Sequence, residues 1–241
     1  NPSVEKQIAF YSLSSIGIFS FFSYPFAYPF VWVVTFLSIF IITSEYIKPL
    51  FSNILIKKIA CMFILTYSLF GSSKLFERIQ AELDWGKAST LALCKSYNET
   101  LPTYERLEKM FVSNPYFLYN YAAVLQEMKQ YTESLEVALK CRQYWADYDL
   151  ELIIGENYQQ LNKPELAEKY YNSASMMCPS RFLPLYKLFH LYKTNGEKER
   201  SLAMAEAVIS KPMKIKTTTI RMMKREMERE IQKMNMSIKL E

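Results

Sequence analysis

Residues 149–179 read DLELIIGENYQQLNKPELAEKYYNSASMMCP. Two apolar-periodic segments flank a polar break at Leu161-Asn162-Lys163-Pro164, the pattern of two helices joined by a short turn. Small residues at Gly155, Ala167 and Ala174 let the two helices approach closely, and Tyr158 and Tyr171 fill holes in the neighbouring helix. Pro179 ends the second helix, because proline lacks an N–H and drives the preceding Cys178 out of the helical region. Working outward, residues 114–141 (NPYFLYNYAAVLQEMKQYTESLEVALKC) and 182–210 (FLPLYKLFHLYKTNGEKERSLAMAEAVIS) are built alike. The close-contact position of each first helix falls at Ala122, Gly155 and Phe189, with spacings of 33 and 34. The matching position of each second helix falls at Ser134, Ala167 and Ser201, with the same 33 and 34.

That period is the length of a tetratricopeptide repeat. The middle copy resembles the family pattern best, with Gly155, Tyr158, Ala167, Tyr171, Ala174 and Pro179 where it has small, aromatic, Ala, aromatic, Ala and Pro. The outer copies are looser: Phe189 replaces the small residue, and Pro212 comes one residue early. Upstream, 75–97 and 102–112 form a further helix pair, with Thr100 as N-cap and Pro102 in the first turn. It does not hold the motif spacing and is read as a capping pair. Downstream, Thr217 to Thr219 open a last helix at about 218–235, with Ile220, Met223, Met227 and Ile231 on one stripe. Arrays need such terminal caps to cover the open face of the stack.

The N-terminal third is of another kind. Residues 8–44 carry no charge, whereas residues 74–241 carry nearly all of it. A single uncharged helix over 8–43 would run about 54 Å at ~1.5 Å per residue, too long for a hydrocarbon layer of about 30 Å. Tyr24-Pro25 and Tyr28-Pro29, within SYPFAYPFVW (23–32), predict a turn at the membrane interface, where tyrosine and tryptophan are favoured. The expectation is all-α: N-terminal transmembrane helices followed by an α-solenoid of tetratricopeptide-like hairpins. Its parts are membrane segments at about 7–22, 29–46 and 56–73, a linking or capping pair over 74–114, repeats over 115–212, and a basic capping helix over 213–241. Lys6, Lys48, Lys57 and Lys58 place the lysine loop inside and the Tyr/Pro turn and repeats outside, which in a bacterial inner membrane means the periplasm. The first residue is Asn1, and we read the chain as a piece of something longer.

Few chemistries are open to this sequence. The five glycines lie far apart, so no phosphate-cradling loop can be written, and there is no G-x-S-x-G. Cys61, Cys94, Cys141 and Cys178 form no C-x-x-C pair, and His190 is the sole histidine. No catalytic, cofactor or metal site is assigned. Of the net charge of +5, residues 211–241 supply nine Lys/Arg against four Asp/Glu, which suits an anionic surface. The pairs Glu226/Glu230 and Arg225/Arg229 read as surface ion pairing along that helix. The candidate surface is the concave groove lined by first helices. Its residues are Tyr116, Tyr119, Ala123 and Gln126, then Leu152, Glu156 and Gln159, then Tyr186, His190 and Lys193. Aromatics with Gln, Glu, His and Lys suit a peptide or a sugar chain, and equally a solvated polar face.

SYPFAYPF followed by a lysine loop, a further helix, and then NPYFLYNYA, WADYDL, MCPSRFLPLYKLFHLY and KPMKI resembles the C-terminal end of O-antigen ligase/polymerase family membrane proteins with a tetratricopeptide tail. The tail motifs span about residues 83–225. The resemblance implies a parent glycosyltransferase acting on undecaprenyl-diphosphate-linked glycan at the periplasmic face, without a metal. It implies membrane lipid, lipid-linked glycan and other envelope-assembly proteins as partners, and no nucleic acid. That family's catalytic Arg and His residues lie upstream of the matched segment, so none is carried over. The alternatives are a stand-alone membrane-anchored repeat adaptor without catalysis, and a cytoplasmic one.

Overall fold

The computed structural model describes residues 3–20, 29–43, 54–213 and 217–238. Among them, every regular element is a helix: α1 (Val4–Ser20), α2 (Pro29–Thr43), α3 (Ile54–Leu93), α4 (Tyr97–Leu107), α5 (Pro115–Glu127), α6 (Tyr131–Arg142), α7 (Tyr148–Gln160), α8 (Pro164–Met177), α9 (Leu183–Thr194), α10 (Lys198–Ser210) and α11 (Thr218–Ile238). The chain divides into two units, Asn1–Ser73 and Lys74–Glu241.

In the first unit α1 packs on α2, burying Ala9, Val31 and Ser38. Most of its large side chains face outward; Phe10, Phe36, Phe40, Phe63 and Tyr67 are all more than half exposed. The hydroxyls of Ser14, Ser20, Thr35, Thr43, Ser72 and Ser73 donate to carbonyls three or four residues upstream in their own helices. Among the described residues no helix is long and apolar enough to cross a membrane. The spans expected at about 7–22, 29–46 and 56–73 are therefore not supported. α1 has 17 residues and α2 has 15, or roughly 26 Å and 23 Å of helix against ~30 Å of hydrocarbon. The Tyr/Pro turn, up to Tyr28, and Lys48 lie outside the described residues.

The second unit is a stack of helix hairpins. α5 pairs with α6, α7 with α8 and α9 with α10, and each hairpin packs on the next. Asn114 caps α5 by accepting from the Phe117 amide at 3.1 Å, the usual way of satisfying a first-turn N–H. Pro115, Pro164 and Pro184 start three of the helices at positions whose N–H has no helical partner. Each first helix ends the same way. Lys95, Lys129, Asn162 and Gly196 have φ of 63, 62, 55 and 77°. Each supplies the left-handed residue of a Schellman turn. The following amides, on Ser96, Gln130, Lys163 and Glu197, return to Leu91, Leu125, Tyr158 and Tyr192 at 2.9–3.1 Å.

The spacings between these turns are 34, 33 and 34, so the turn after α3 keeps the period of the three that follow. Ala88 on α3 and Thr100 on α4 sit one repeat length before Ala122 and Ser134, and both are buried. The pair 74–114, expected as a cap outside the motif spacing, holds that spacing. α11 covers the other end: Met227 is fully buried, and Ile220, Met223 and Ile231 pack with it against Phe182, Phe189, Ala205 and Val208.

Three clusters make a continuous core. The first joins Ala81 and Ala88 to Phe117, Ala138, Ile154 and Tyr170; the second centres on Ala167, Tyr171 and Leu188; the third lies under α11. The closest approach is inside the middle hairpin. A Cβ added at Gly155 would stand 2.6 Å from Cε1 and 2.7 Å from Cδ1 of Tyr171. That ring is fully buried and its hydroxyl donates to Gln159 Oε1 at 2.8 Å, so it has little room to retreat. Gly155→Ala should lower stability in urea unfolding by about 1–2 kcal/mol, overpacking outweighing the ~1 kcal/mol gain in helix propensity. In a Tyr171→Leu background the same change should be neutral or stabilising. A Gly155→Ala protein more stable than the parent would show that the two helices are not in contact here.

Candidate functional site

The residues expected along the groove fall into two groups. Two of the polar ones, Gln126 and Glu156, bridge one first helix to the next. Gln126 on α5 donates through Nε2 to Asn157 Oδ1 at 3.1 Å and to the Ile153 carbonyl at 3.2 Å on α7. Asn157 is itself buried and donates to Ser134 Oγ at 2.7 Å, which donates to the Ala122 carbonyl at 2.8 Å. This chain ties two hairpins together with every link satisfied. Glu156 on α7 pairs with Lys187 on α9 at 2.9 Å. Gln159 accepts from Tyr171 within its own hairpin. Leu152, expected at the groove, is buried in the second core cluster.

The three residues of the last hairpin are all engaged by α11. Tyr186 donates its hydroxyl to Glu226 Oε2 at 2.8 Å, and burial, reinforced by that carboxylate, pushes its phenol up to about 12. His190 Nε2 lies 3.4 Å from Glu226 Oε1. Burial holds its imidazole below the usual range, Glu226 opposing this. Half-buried, the imidazole packs edge-on against Tyr186 and Phe189. Lys193 pairs with Glu230, whose carboxyl is drawn down first by Lys193 and then by Lys233. The expected pairing of Glu226 and Glu230 with Arg225 and Arg229 is thus corrected: both glutamates turn inward to α9. Helix periodicity places four charges on one turn but does not say which neighbour claims them.

Tyr116 and Tyr119 remain open. Tyr116 is 62% exposed. Both lean on Trp145 from the α6–α7 loop, with ring centroids 5.4 and 5.7 Å away at 48° and 78°. Tyr119 also faces a cleft of about 260 Å³ between the end of α3, the start of α4 and α5, lined among others by Ser89, Ala92, Tyr97, Asn120, Ala123 and Glu127. Small side chains make the cleft, Ala92 standing one repeat length before Gln126 of α5. The expectation named Tyr119 and Ala123 but not the α3 wall. The spacing from Ala88 to Ala122 is the signal that points to it.

A buried carboxylate lies between α6 and α7. Glu151 is fully buried, and its Oε1 accepts from the half-exposed Arg142, a contact between hairpins rather than part of a site. Cys141 is buried and donates through Sγ to the Pro115 carbonyl at 3.2 Å. Burial pushes its thiol up to about 11, and a thiol that stays protonated is inert.

Solved structures share this architecture. One of a MamA protein superposes with a TM-score of 0.50 at 14% identity, covering 54% of this chain and 72% of that one. MamA from Desulfovibrio magneticus RS-1, from residue 41 to its end, gives 0.49 at 18%, covering 61% and 76%. YrrB, described as a TPR protein with an unusual peptide-binding site, gives 0.48 at 18%, covering 53% and 66%. At such identities the likeness is one of fold: a tetratricopeptide-like helical repeat. No family model and no curated protein matches the chain, and nothing in these comparisons supports the O-antigen ligase resemblance.

Proposed function

We propose that the repeats are a protein-interaction module that takes an extended peptide segment in the cleft between α3 and α5. One observation carries this reading. The equivalent strips further along are closed, by Gln126 with Asn157, by Glu156 with Lys187, and by α11 over Tyr186, His190 and Lys193. The first strip is floored by Ser89, Ala92 and Ala123: the two alanines carry no polar group to bridge it, and Ser89 turns to Tyr104 of α4 rather than to α5. A cleft with an apolar floor and a few polar groups at its rim is the usual form of a recognition site. Filling it should weaken binding. Ala123→Arg is expected to weaken retention on immobilised random decapeptides by about tenfold or more, the loss of one buried hot spot. Glu165→Arg, on the exposed side of α8, should leave retention unchanged. Equal retention of both variants would move the binding surface elsewhere.

A second reading is favoured by the exposed apolar side chains of residues 4–70. We propose that lipid covers α1 and α2, placing the chain at a bacterial inner membrane with the repeats on the periplasmic side. Hydroxyls bonded back onto their own helices support this, since in hydrocarbon they would have no other partner. In its finest form the chain is the C-terminal part of a glycosyltransferase acting on undecaprenyl-diphosphate-linked glycan, with the repeats as its scaffold module; that step rests on the sequence resemblance. The full chain should stay with membranes after alkaline carbonate extraction, and an alkaline phosphatase fusion at Glu241 should be active. Release into the carbonate supernatant would refute lipid cover, and an inactive fusion would refute the periplasmic placement.

A further inference from the structure

We propose that the corner formed by Tyr116, Tyr119 and Trp145 binds a cationic side chain, arginine or lysine, of the peptide held in the adjoining cleft. The proposal rests on the peptide reading above and adds the chemistry that would be selected. Tyr119 belongs to both places: it lines the cleft and meets Trp145 edge-on. The three rings therefore stand at one end of the cleft, within reach of a residue whose backbone lies in it.

Three features of the corner suit a cation. First, the faces are not used up. The two tyrosines meet the indole at 48° and 78°, so neither lies flat on it and each contact takes up only one face of one ring. Open ring faces are what a cation needs. Elsewhere in the repeats comparable rings are already covered by the protein's own cations: Arg78 lies 4.1 Å from the Phe111 centroid and Arg200 lies 4.0 Å from that of Tyr192. No described cation lies over Tyr116, Tyr119 or Trp145. Second, the polar tips are free. Neither tyrosine hydroxyl nor the Trp145 indole nitrogen is hydrogen-bonded to a described residue, although Tyr119 is half-buried.

Third, the charge around Tyr119 is negative, Arg78 lying on the far side of Tyr116 with Phe111. Asp147 and Asp149 follow Trp145 closely in the chain, and both reach Tyr119 electrostatically: burial raises its phenol first, then Asp149, then Asp147. Asp147 Oδ1 accepts from the Asp149 amide at 2.8 Å as the N-cap of α7, which fixes that carboxylate and leaves its charge in place. Arg181, over the Tyr148 ring, offsets part of the charge on Asp149. Glu127 adds a carboxylate at the cleft itself. An acidic side chain would meet two or three carboxylates there with nothing to bond them, and a hydroxyl could bond one without offsetting the charge, whereas a guanidinium would find rings and carboxylates together.

The full chain tests this against immobilised decapeptide pools that are random except for a fixed central Arg, Lys, Leu, Ser or Glu. Retention on the Arg and Lys pools should exceed that on the Ser and Glu pools by about tenfold, the range a partly desolvated cation–π contact allows. Trp145→Ala should abolish the preference while keeping residual retention on all pools, and Trp145→Phe should keep part of it. Tyr116→Ser, at a surface position, should weaken the preference even if Trp145→Ala fails to fold. Equal retention on the five pools would overturn the cation proposal and leave the cleft reading standing. Retention on none would overturn both. Retention on immobilised N-acetylglucosamine oligomers in place of peptides would assign the corner to sugar stacking and overturn the proposal.

Discussion

The stack depends on how closely two helices can meet. In the middle hairpin the Gly155 backbone lies against the Tyr171 ring at a distance that would not admit one more carbon. Once that ring is seated, its hydroxyl orients Gln159, and Leu188, Leu191 and Tyr192 of the next hairpin pack into the same cluster. A hairpin of this size cannot bury its own apolar face, so each copy is completed by its neighbour. The open face of the last hairpin must therefore be covered by something that is not a repeat, and α11 supplies it with Met227 and two inward glutamates.

The polar side chains at the first-helix faces follow from the same constraint. Where two first helices come side by side, polar groups facing each other must bond across the gap or remain unpaired at cost. Gln126, Glu156, Tyr186 and Lys193 each solve this by reaching the next element. Exposed ion pairs of this kind contribute only ~0–1 kcal/mol each, so they set register more than stability. What they do decide is access. They close the face wherever they occur, and the face stays open where small residues replace them, between α3 and α5.

Much of this is legible in the residues. The spacings of 33 and 34, the small residue at 155, the proline stops and the apolar stripe of the last helix all have local physical causes that a sequence displays. The fourth hairpin escapes notice because its first helix, α3, is 40 residues long and runs out of an apolar stretch. No proline or polar break marks where its repeat begins, although Ala88 and Thr100 keep the period. Side-chain direction is the other gap. Counting along a helix puts Tyr186, His190 and Lys193 on one face, but only the position of α11 reveals that this face is occupied. Trp145 lies in a loop, where no periodicity points to it. In the unit Asn1–Ser73 composition leads to an expectation of membrane spans that the described helices do not support.

The four Schellman turns make the start of the periodic array directly measurable: the turn between α3 and α4 keeps the period of the other three. The amides of Ser96, Gln130, Lys163 and Glu197 each close the same bond at the end of a first helix. Native-state hydrogen exchange on the full chain should find all four protected well above their unstructured rates, with Ser96 grouped with the other three. A Ser96 amide exchanging freely while Gln130, Lys163 and Glu197 are protected would mean that the array starts at α5. The cleft between α3 and α5 would then have no fixed wall.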